Sequence, residues 1–169
     1  MKVILYASMS VNGFIARDND EEDFLSHENW FSFQKLAKKA GCFVVGRRAY
    51  EVVKKKYTSG YNFGTVKAKA IVLSRKKSAE YETAGSPRDA AEKAKSMGFR
   101  SLIVSGGSKT NASFMRSGLV SEIILNVEPF VLGRGFSVFD ELEIEKKMSL
   151  KKISKLRGGI IQLRYAVRK

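Results

Sequence analysis

The sequence is short of the residues that staple or metal-bind a small scaffold. Its 169 residues include one cysteine, one histidine, one tryptophan and two prolines. A lone thiol, Cys42, excludes an internal disulfide and any paired-cysteine metal site. Set in Cys42-Phe43-Val44-Val45, it reads as a small buried hydrophobe. No apolar run approaches the roughly 18 residues of a membrane span. The opening Met1-Lys2-Val3-Ile4-Leu5-Tyr6 is too short for the apolar region of a signal peptide, and polar Ser8, Ser10 and Asn12 follow at once. The expectation is a cytoplasmic protein without membrane attachment. Repeats, low-complexity stretches and Pro/Gly/Ser linkers are also missing, so residues 1–169 read as one domain. A hydrophobic fraction of 44% suits a packed globule.

Charge is far from balanced: the net charge is +14. The first 30 residues are net acidic, and the basic excess lies in residues 31–60, 61–100 and 141–169. Such a balance serves nucleic acid, an anionic small ligand or solubility. The aromatic RNA-binding signature and a recognition-helix pattern are both absent. An anionic small ligand is therefore preferred to nucleic acid and a merely solvated surface to both, and a basic nucleic-acid-binding protein stands as the alternative of another class.

Hydrophobic patterning alternates short buried runs with helical spacing. Residues 2–8, 42–45, 69–74, 102–104 and 121–128 read as buried strands. Residues 9–27 read as a polar loop. Trp30, Phe33, Leu36, Ala37 and Ala40 recur at helical spacing over residues 28–40, with Gly41 placed to stop that helix. Trp30 and Phe31 are both expected in the core. Ser86-Pro87-Arg88-Asp89 is a helix start, with an N-cap serine, proline at the first position and an acid in the first turn. Residues 148–156 and 160–167 flank Gly158-Gly159, a hairpin signal. This is an α/β pattern: a mostly parallel sheet with a C-terminal antiparallel hairpin.

Three strand ends share one design, and ligands of open α/β sheets bind at the carboxyl ends of strands. After residues 42–45 come Gly46, Arg47 and Arg48. Glycine lets a phosphate approach the backbone, and arginine presents a fork of donors to it; a tight turn with solvated arginines explains the residues as well. At the end of residues 69–74, Val72-Leu73 run into Ser74 and Arg75, then Lys76 and Lys77, which suit the 2′-phosphate of NADPH, or form an ordinary basic loop. After residues 102–104, Ser105-Gly106-Gly107-Ser108-Lys109 can cradle a pyrophosphate at a helix N-terminus, or make a plain strand-to-helix turn. The last segment is neither GxGxxG nor a P-loop, so neither a Rossmann fingerprint nor an NTPase is indicated.

Taken in order, these segments resemble the dihydrofolate-reductase-like superfamily. Ser10-Val11-Asn12-Gly13-Phe14-Ile15-Ala16 resembles the S-x-D-G-x-I-A opening of the riboflavin-pathway pyrimidine reductases. Ser105 through Asn111, Gly118-Leu119-Val120-Ser121-Glu122, Pro129 and Leu132-Gly133-Arg134-Gly135 are similar to that group's GG…GLVDE…P…LG pattern. The resemblance implies a dihydrofolate-reductase-like three-layer α/β/α fold and an NADPH-dependent reductase. The substrate would be a small phosphorylated ribosylaminopyrimidine, whose opened ribose Schiff base is reduced to a ribitylamino chain. A dihydrofolate or other pterin reductase is the alternative enzyme. Asn12, Gly13 and Ile15 would line the nicotinamide and substrate. Gly46, Arg47 and Arg48 would hold the cofactor's phosphates, Ser74 and Arg75 its 2′-phosphate, and Gly106, Gly107, Ser108 and Lys109 its pyrophosphate. A homodimer is implied too, and the apolar segment from Val127 to Leu132 could join its interface.

Three positions depart from the family pattern. Ala49 stands where threonine is usual, Asn12 where aspartate is usual, and Ser105 where bifunctional relatives carry glutamate. An amide cannot act as a carboxylate acid, so Asn12 could only position substrate. The resemblance puts an acid near the start of the first helix, where Glu28, or failing it Asp23, is the candidate; His27 is adjacent. The HxE and PCxxC ligands of a zinc deaminase half are absent, and no metal site is expected.

Overall fold

The computed structural model describes residues 1–56, 62–140 and 142–168. Along the chain run β1 (Lys2–Met9), β2 (Phe14–Ala16), α1 (His27–Ala40), β3 (Cys42–Gly46), α2 (Arg47–Lys56), β4 (Lys69–Leu73), β5 (Glu82–Ala84) and α3 (Pro87–Ser96). They continue with β6 (Ser101–Val104), α4 (Ser108–Arg116), β7 (Glu122–Val127), β8 (Phe136–Ser137), β9 (Met148–Lys155) and β10 (Ile161–Val167). Eight strands form one sheet in the order β5-β4-β3-β6-β1-β7-β10-β9. The six strands from β5 to β7 are parallel, whereas β10 runs antiparallel to both β7 and β9. The mostly parallel sheet and the terminal hairpin expected from the sequence are both present.

The strands read as continuous apolar runs because each faces a different layer at alternate residues. Val3 and Leu5, Cys42 and Val44, and Leu102 and Val104 pack on one face beneath α3 and α4, against Ala90, Ala94, Phe114 and Met115. Ile4 and Tyr6, Phe43 and Val45, and Ile103 point the other way, against Phe33 and Ala37 of α1. Phe43, Phe114, Leu5 and Ile103 are fully buried, each contributing roughly 1.5–3 kcal/mol by leaving water.

Local signals act as expected. Gly41 adopts φ 82° and donates its N–H to Ala37 O at 2.8 Å, ending α1. Ser86 Oγ accepts the Asp89 N–H at 3.1 Å, starting α3. Two readings need correction. Residues 9–27 are not wholly loop: β2 lies within them and pairs antiparallel with β8 in a separate two-stranded sheet. Phe31 is not a core residue, being 57% exposed, because it faces away from the layer that buries Phe33. Among the described residues no helix is long and apolar enough to cross a membrane.

Candidate active site

Parallel pairing of β4, β3 and β6 brings the three strand ends side by side on one edge of the sheet. Beside them, at the carboxyl end of β1, opens a cleft of about 360 Å³. Its floor is Tyr6, Ala7 and Ser8 of β1 with Ser105, Gly106 and Gly107 beyond β6. Ile15, Ala49, Val53 and Phe63 close its sides, and Leu25, Ser26, His27, Asn29, Trp30 and Phe33 form the wall contributed by α1 and the chain before it. Gly46 donates its N–H to Gly106 O at 2.8 Å, tying β3 to this floor. A side chain on Gly46 would collide with Thr110 Oγ1 of α4, so glycine is required by that packing.

The wall is fixed by a buried polar network spanning distant parts of the chain. Tyr6 Oη donates to Asn29 O at 2.9 Å, and Asn126 Nδ2 donates to both Tyr6 Oη and Asn29 Oδ1 at 2.8 Å. Asn29 Nδ2 donates to Glu128 Oε1, which also accepts the Ser26 N–H at 2.7 Å. Gln162 closes the network on Asn126 Oδ1 at 3.0 Å. Buried polar groups need partners, and here they tie the start of α1 to the ends of β1, β7 and β10. Burial pushes the Tyr6 hydroxyl up to about 12, so it stays a donor at neutral pH.

The remaining rim is the chain between β2 and α1. Arg17 grips Asp23 through both carboxyl oxygens, at 2.6 and 3.0 Å, which holds Asp23 below its ordinary value. Arg48 reaches Asp20 at 2.8 Å and lies 5.1 Å over the Phe136 ring. Lys56 donates to Asn19 O at 2.9 Å. Glu22, held on this rim, lines the cleft. Burial first, then the Asp20 charge, pushes its carboxyl up to about 7, with Lys56 opposing. Glu22 is half-buried beside a second acid, so desolvation and like charge act in the same direction.

The RibD C-terminal domain family matches residues 1–162. The chain belongs to that family. It is 26% identical over 182 residues, covering 97% of both chains, to the uncharacterized protein YwjB of Bacillus subtilis (strain 168). Its fold matches a Shewanella sp. PV-4 protein assigned provisionally to riboflavin biosynthesis, with a TM-score of 0.83 at 21% identity over the whole of both chains. It also matches the Thermotoga maritima diaminohydroxyphosphoribosylaminopyrimidine deaminase/5-amino-6-(5-phosphoribosylamino)uracil reductase, with a TM-score of 0.74 at 15% identity; there it covers 99% of this chain and 56% of the other.

In this RibD C-terminal domain the anticipated residues take different places. Ile15, Gly106 and Gly107 line the cleft, as do the departures Ala49 and Ser105. Gly13 sits just outside, accepting the Val138 N–H at 2.9 Å. Asn12 does not line the cleft: its Nδ2 donates to Leu132 O at 2.7 Å and its Oδ1 accepts the Leu132 N–H at 3.1 Å. Glu28 is half-buried on the first turn of α1 and is not among the lining residues. Arg47 pairs with Glu51 at 3.1 Å on the surface of α2. Ser74 closes its own turn, accepting the Lys76 N–H at 3.1 Å, beside an exposed Arg75. Ser108 Oγ donates to Ser137 O, and Lys109 is exposed, 3.9 Å from Asp140.

A nicotinamide dinucleotide suits these residues. The open backbone at Gly106-Gly107 fronts the N-terminus of α4, and the Oδ1 of buried Asn111 has no partner among the described residues. The surface pairs of Arg47 and Arg48 are the weak kind that a phosphate can displace. Sequence reasoning missed Glu22, hidden in an acidic loop, and Asn29 and Asn126, whose partners lie some 100 positions away; Glu128-Pro129 could be read from sequence as a cap near the pocket or as a plain edge-strand ending.

Proposed function

We propose that this domain is an NADPH-dependent reductase of a small heterocyclic substrate. The reading rests on one observation above the rest: the cleft floor at Gly106-Gly107 opens at a helix N-terminus, with Gly46–Arg48 and Ser74–Arg75 next along the same sheet edge. Backbone N–H groups at Gly107 and Ser108 would take the pyrophosphate. Arg47 and Arg48 would neutralise it, and Ser74 and Arg75 would select the 2′-phosphate. When bound, the reduced nicotinamide supplies the hydride. Ile15 and Ala7 would hold its ring flat against the end of β1. Glu22, protonatable near neutrality and lining the cleft, is a better placed proton donor than Glu28.

Family membership supports the phosphorylated ribosylaminopyrimidine as substrate, the opened ribose being reduced to a ribityl chain. The pterin alternative is favoured by one observation: among the described residues the lining holds Tyr6, Trp30, Phe33 and Phe63 with the acids Glu22 and Asp23, and no Lys or Arg. That lining suits an uncharged ring better than a phosphate. A cytoplasmic homodimer completes the proposal. Ile153 is 58% exposed and Leu150 51% exposed on β9; they pair with Leu163 and Tyr165 of β10.

The deciding experiment is a fluorescence titration with NADPH and NADH. Micromolar NADPH binding with much weaker NADH binding is expected, and it would lead to turnover assays with the phosphoribosylaminopyrimidine and with dihydropterins. Binding of neither dinucleotide, with steeply salt-dependent binding to random nucleic acid, would replace the reductase by the nucleic-acid reading.

A further inference from the structure

Asn111 sits in the first turns of α4 and is 0% exposed, yet it reaches the cleft. Its two polar ends are treated differently. Nδ2 donates to Val138 O at 2.8 Å, which fixes which end of the amide is oxygen, since the flipped amide would set oxygen against oxygen. Oδ1 is buried and has no hydrogen-bond partner among the described residues. It lies 3.9 Å from where a side chain on Gly106 would begin, and Gly106 has φ 93°, so the space beside it is kept open by backbone that disfavours any side chain. Folded proteins pair their buried acceptors, so a site built this way has a donor for a partner.

We propose that Asn111 Oδ1 is a cofactor-orienting acceptor that takes a hydrogen bond from an N–H or O–H of the nicotinamide-riboside half of the bound dinucleotide. The inference rests on the dinucleotide reading above. Phosphate oxygens at neutral pH are acceptors, so the pyrophosphate cannot be the partner. The adenine end is drawn toward Ser74 and Arg75, two strands away across β3. What remains in reach of the cleft floor is the ribose hydroxyls and the carboxamide N–H. The hydrogen bond fixes the rotation of the nicotinamide half against Ala7 and Ile15, and thus which face of the ring is turned toward the wall made by α1.

The test compares wild type and Asn111→Ala in titrations with NADPH and with its reduced 3-acetylpyridine analogue, in which a methyl replaces the carboxamide amine. Melting temperatures establish that the variant is folded. Alongside, the side-chain carbonyl carbon of Asn111 is followed by NMR in wild type as NADPH is added. The expected result is a loss of NADPH affinity of about ten-fold in the variant and a shift of the wild-type carbonyl resonance at saturation. A preference of wild type for NADPH over the analogue that vanishes in the variant assigns the donor to the carboxamide. An equal loss for both ligands assigns it to a ribose hydroxyl. Unchanged affinity in a folded variant overturns the proposal. So does a resonance that stays put at saturation, whether or not the variant folds. If wild type binds no NADPH at all, the dinucleotide reading itself has failed and this inference falls with it.

Discussion

Glu128, at the end of β7, accepts the backbone N–H of Ser26 at 2.7 Å across 102 positions of sequence, and the same oxygen accepts the side-chain amide of Asn29. Ser26 is the N-cap residue of α1, and its own hydroxyl makes no capping bond. The buried glutamate therefore does from another strand what a capping side chain does locally, and it places an acid at the positive end of the helix dipole. Glu128→Ala would strand two donors, the buried Asn29 amide and the part-buried Ser26 N–H. The expected cost is about 2–6 kcal/mol in chemical denaturation, counting roughly 1–3 kcal/mol for each donor left unpaired. Because Ser26, His27 and Asn29 line the cleft, ligand affinity should fall with stability. A loss below half a kcal/mol would show that water replaces the carboxyl without penalty.

Glu22 gives the protein a pH dependence opposite to that of its surface acids. Burial raises its carboxyl to about 7 in the folded chain from an ordinary value of 4.5. The unfolded chain ionises first as pH rises, so the folded state becomes less favoured between those two values and loses nothing further above the higher one. Asp23 and Glu82, both held below their ordinary values by Arg17 and Lys93, act the other way, losing stability as pH falls. Comparing Glu22→Gln with wild type isolates the Glu22 part: the glutamine variant should gain on wild type between pH 5 and pH 8, by at most roughly 3 kcal/mol. Parallel stability curves for the two proteins over that range would remove Glu22 as the near-neutral carboxyl. If it is also the proton donor, the upper limb of the pH–rate profile should disappear in the same variant.

Much of the fold was legible because parallel strands covered on both faces must read as unbroken apolar runs, and Cys42–Val45 or Leu102–Val104 can be little else. Helix ends were legible where the stop or start is local, as at Gly41 and Ser86. The pairing of β2 with β8 was not, since strands of three and two residues carry no periodicity and form only once the sheet has brought them together. The site was legible in outline only. Ile15, Gly106 and Gly107 stand in segments whose order marks them. Asn12 stands in such a segment too, but its amide pairs with both backbone groups of Leu132 and so pins a loop. Glu22 sits among Asp18, Asp20, Glu21 and Asp23, where sequence suggests only solvated charge; its environment comes from a cleft whose other lining residues include those on β1, α1 and α2.

The contact of Gly46 with Thr110 predicts a rescue. Gly46→Ala places a methyl group against Thr110 Oγ1 and should cost about 1–3 kcal/mol, loosening the Gly46–Gly106 hydrogen bond and with it the cleft floor. Thr110→Ala in the same chain removes the obstructing hydroxyl, so the double variant should recover at least half of the loss. Strict additivity of the two substitutions, read from denaturation midpoints, would mean that the chain accommodates the methyl elsewhere.

The exposed apolar face of the terminal hairpin predicts the oligomeric state. Leu150 and Ile153 stand exposed beside Leu163 and Tyr165, on the side of the sheet covered elsewhere by α3 and α4. An exposed apolar sheet face of this kind marks an association surface. Ile153→Lys should convert a dimer into a folded monomer in sedimentation experiments at micromolar concentration. Substitution of Val131, 70% exposed near the end of β7, should leave the dimer intact; dissociation by the Val131 change alone would move the interface to the segment from Val127 to Leu132.

Arg75 is exposed beyond the end of β4 and Ser74 next to it closes the turn on Lys76, so the guanidinium can swing onto a ligand phosphate without breaking an ion pair among the described residues. On the proposed reading its contribution to binding would be electrostatic and specific to the 2′-phosphate that distinguishes NADPH from NADH. Arg75→Ala should weaken NADPH at least ten-fold, the equivalent of about 1.4 kcal/mol, and leave NADH within two-fold, with the salt dependence of NADPH binding reduced in parallel. Arg47→Ala should weaken both dinucleotides if that residue serves the pyrophosphate they share. Equal losses for NADPH and NADH at Arg75 would shift the 2′-phosphate to another basic segment, and of those the sheet order leaves Arg47 and Arg48, on the neighbouring strand end, as the residues to test next.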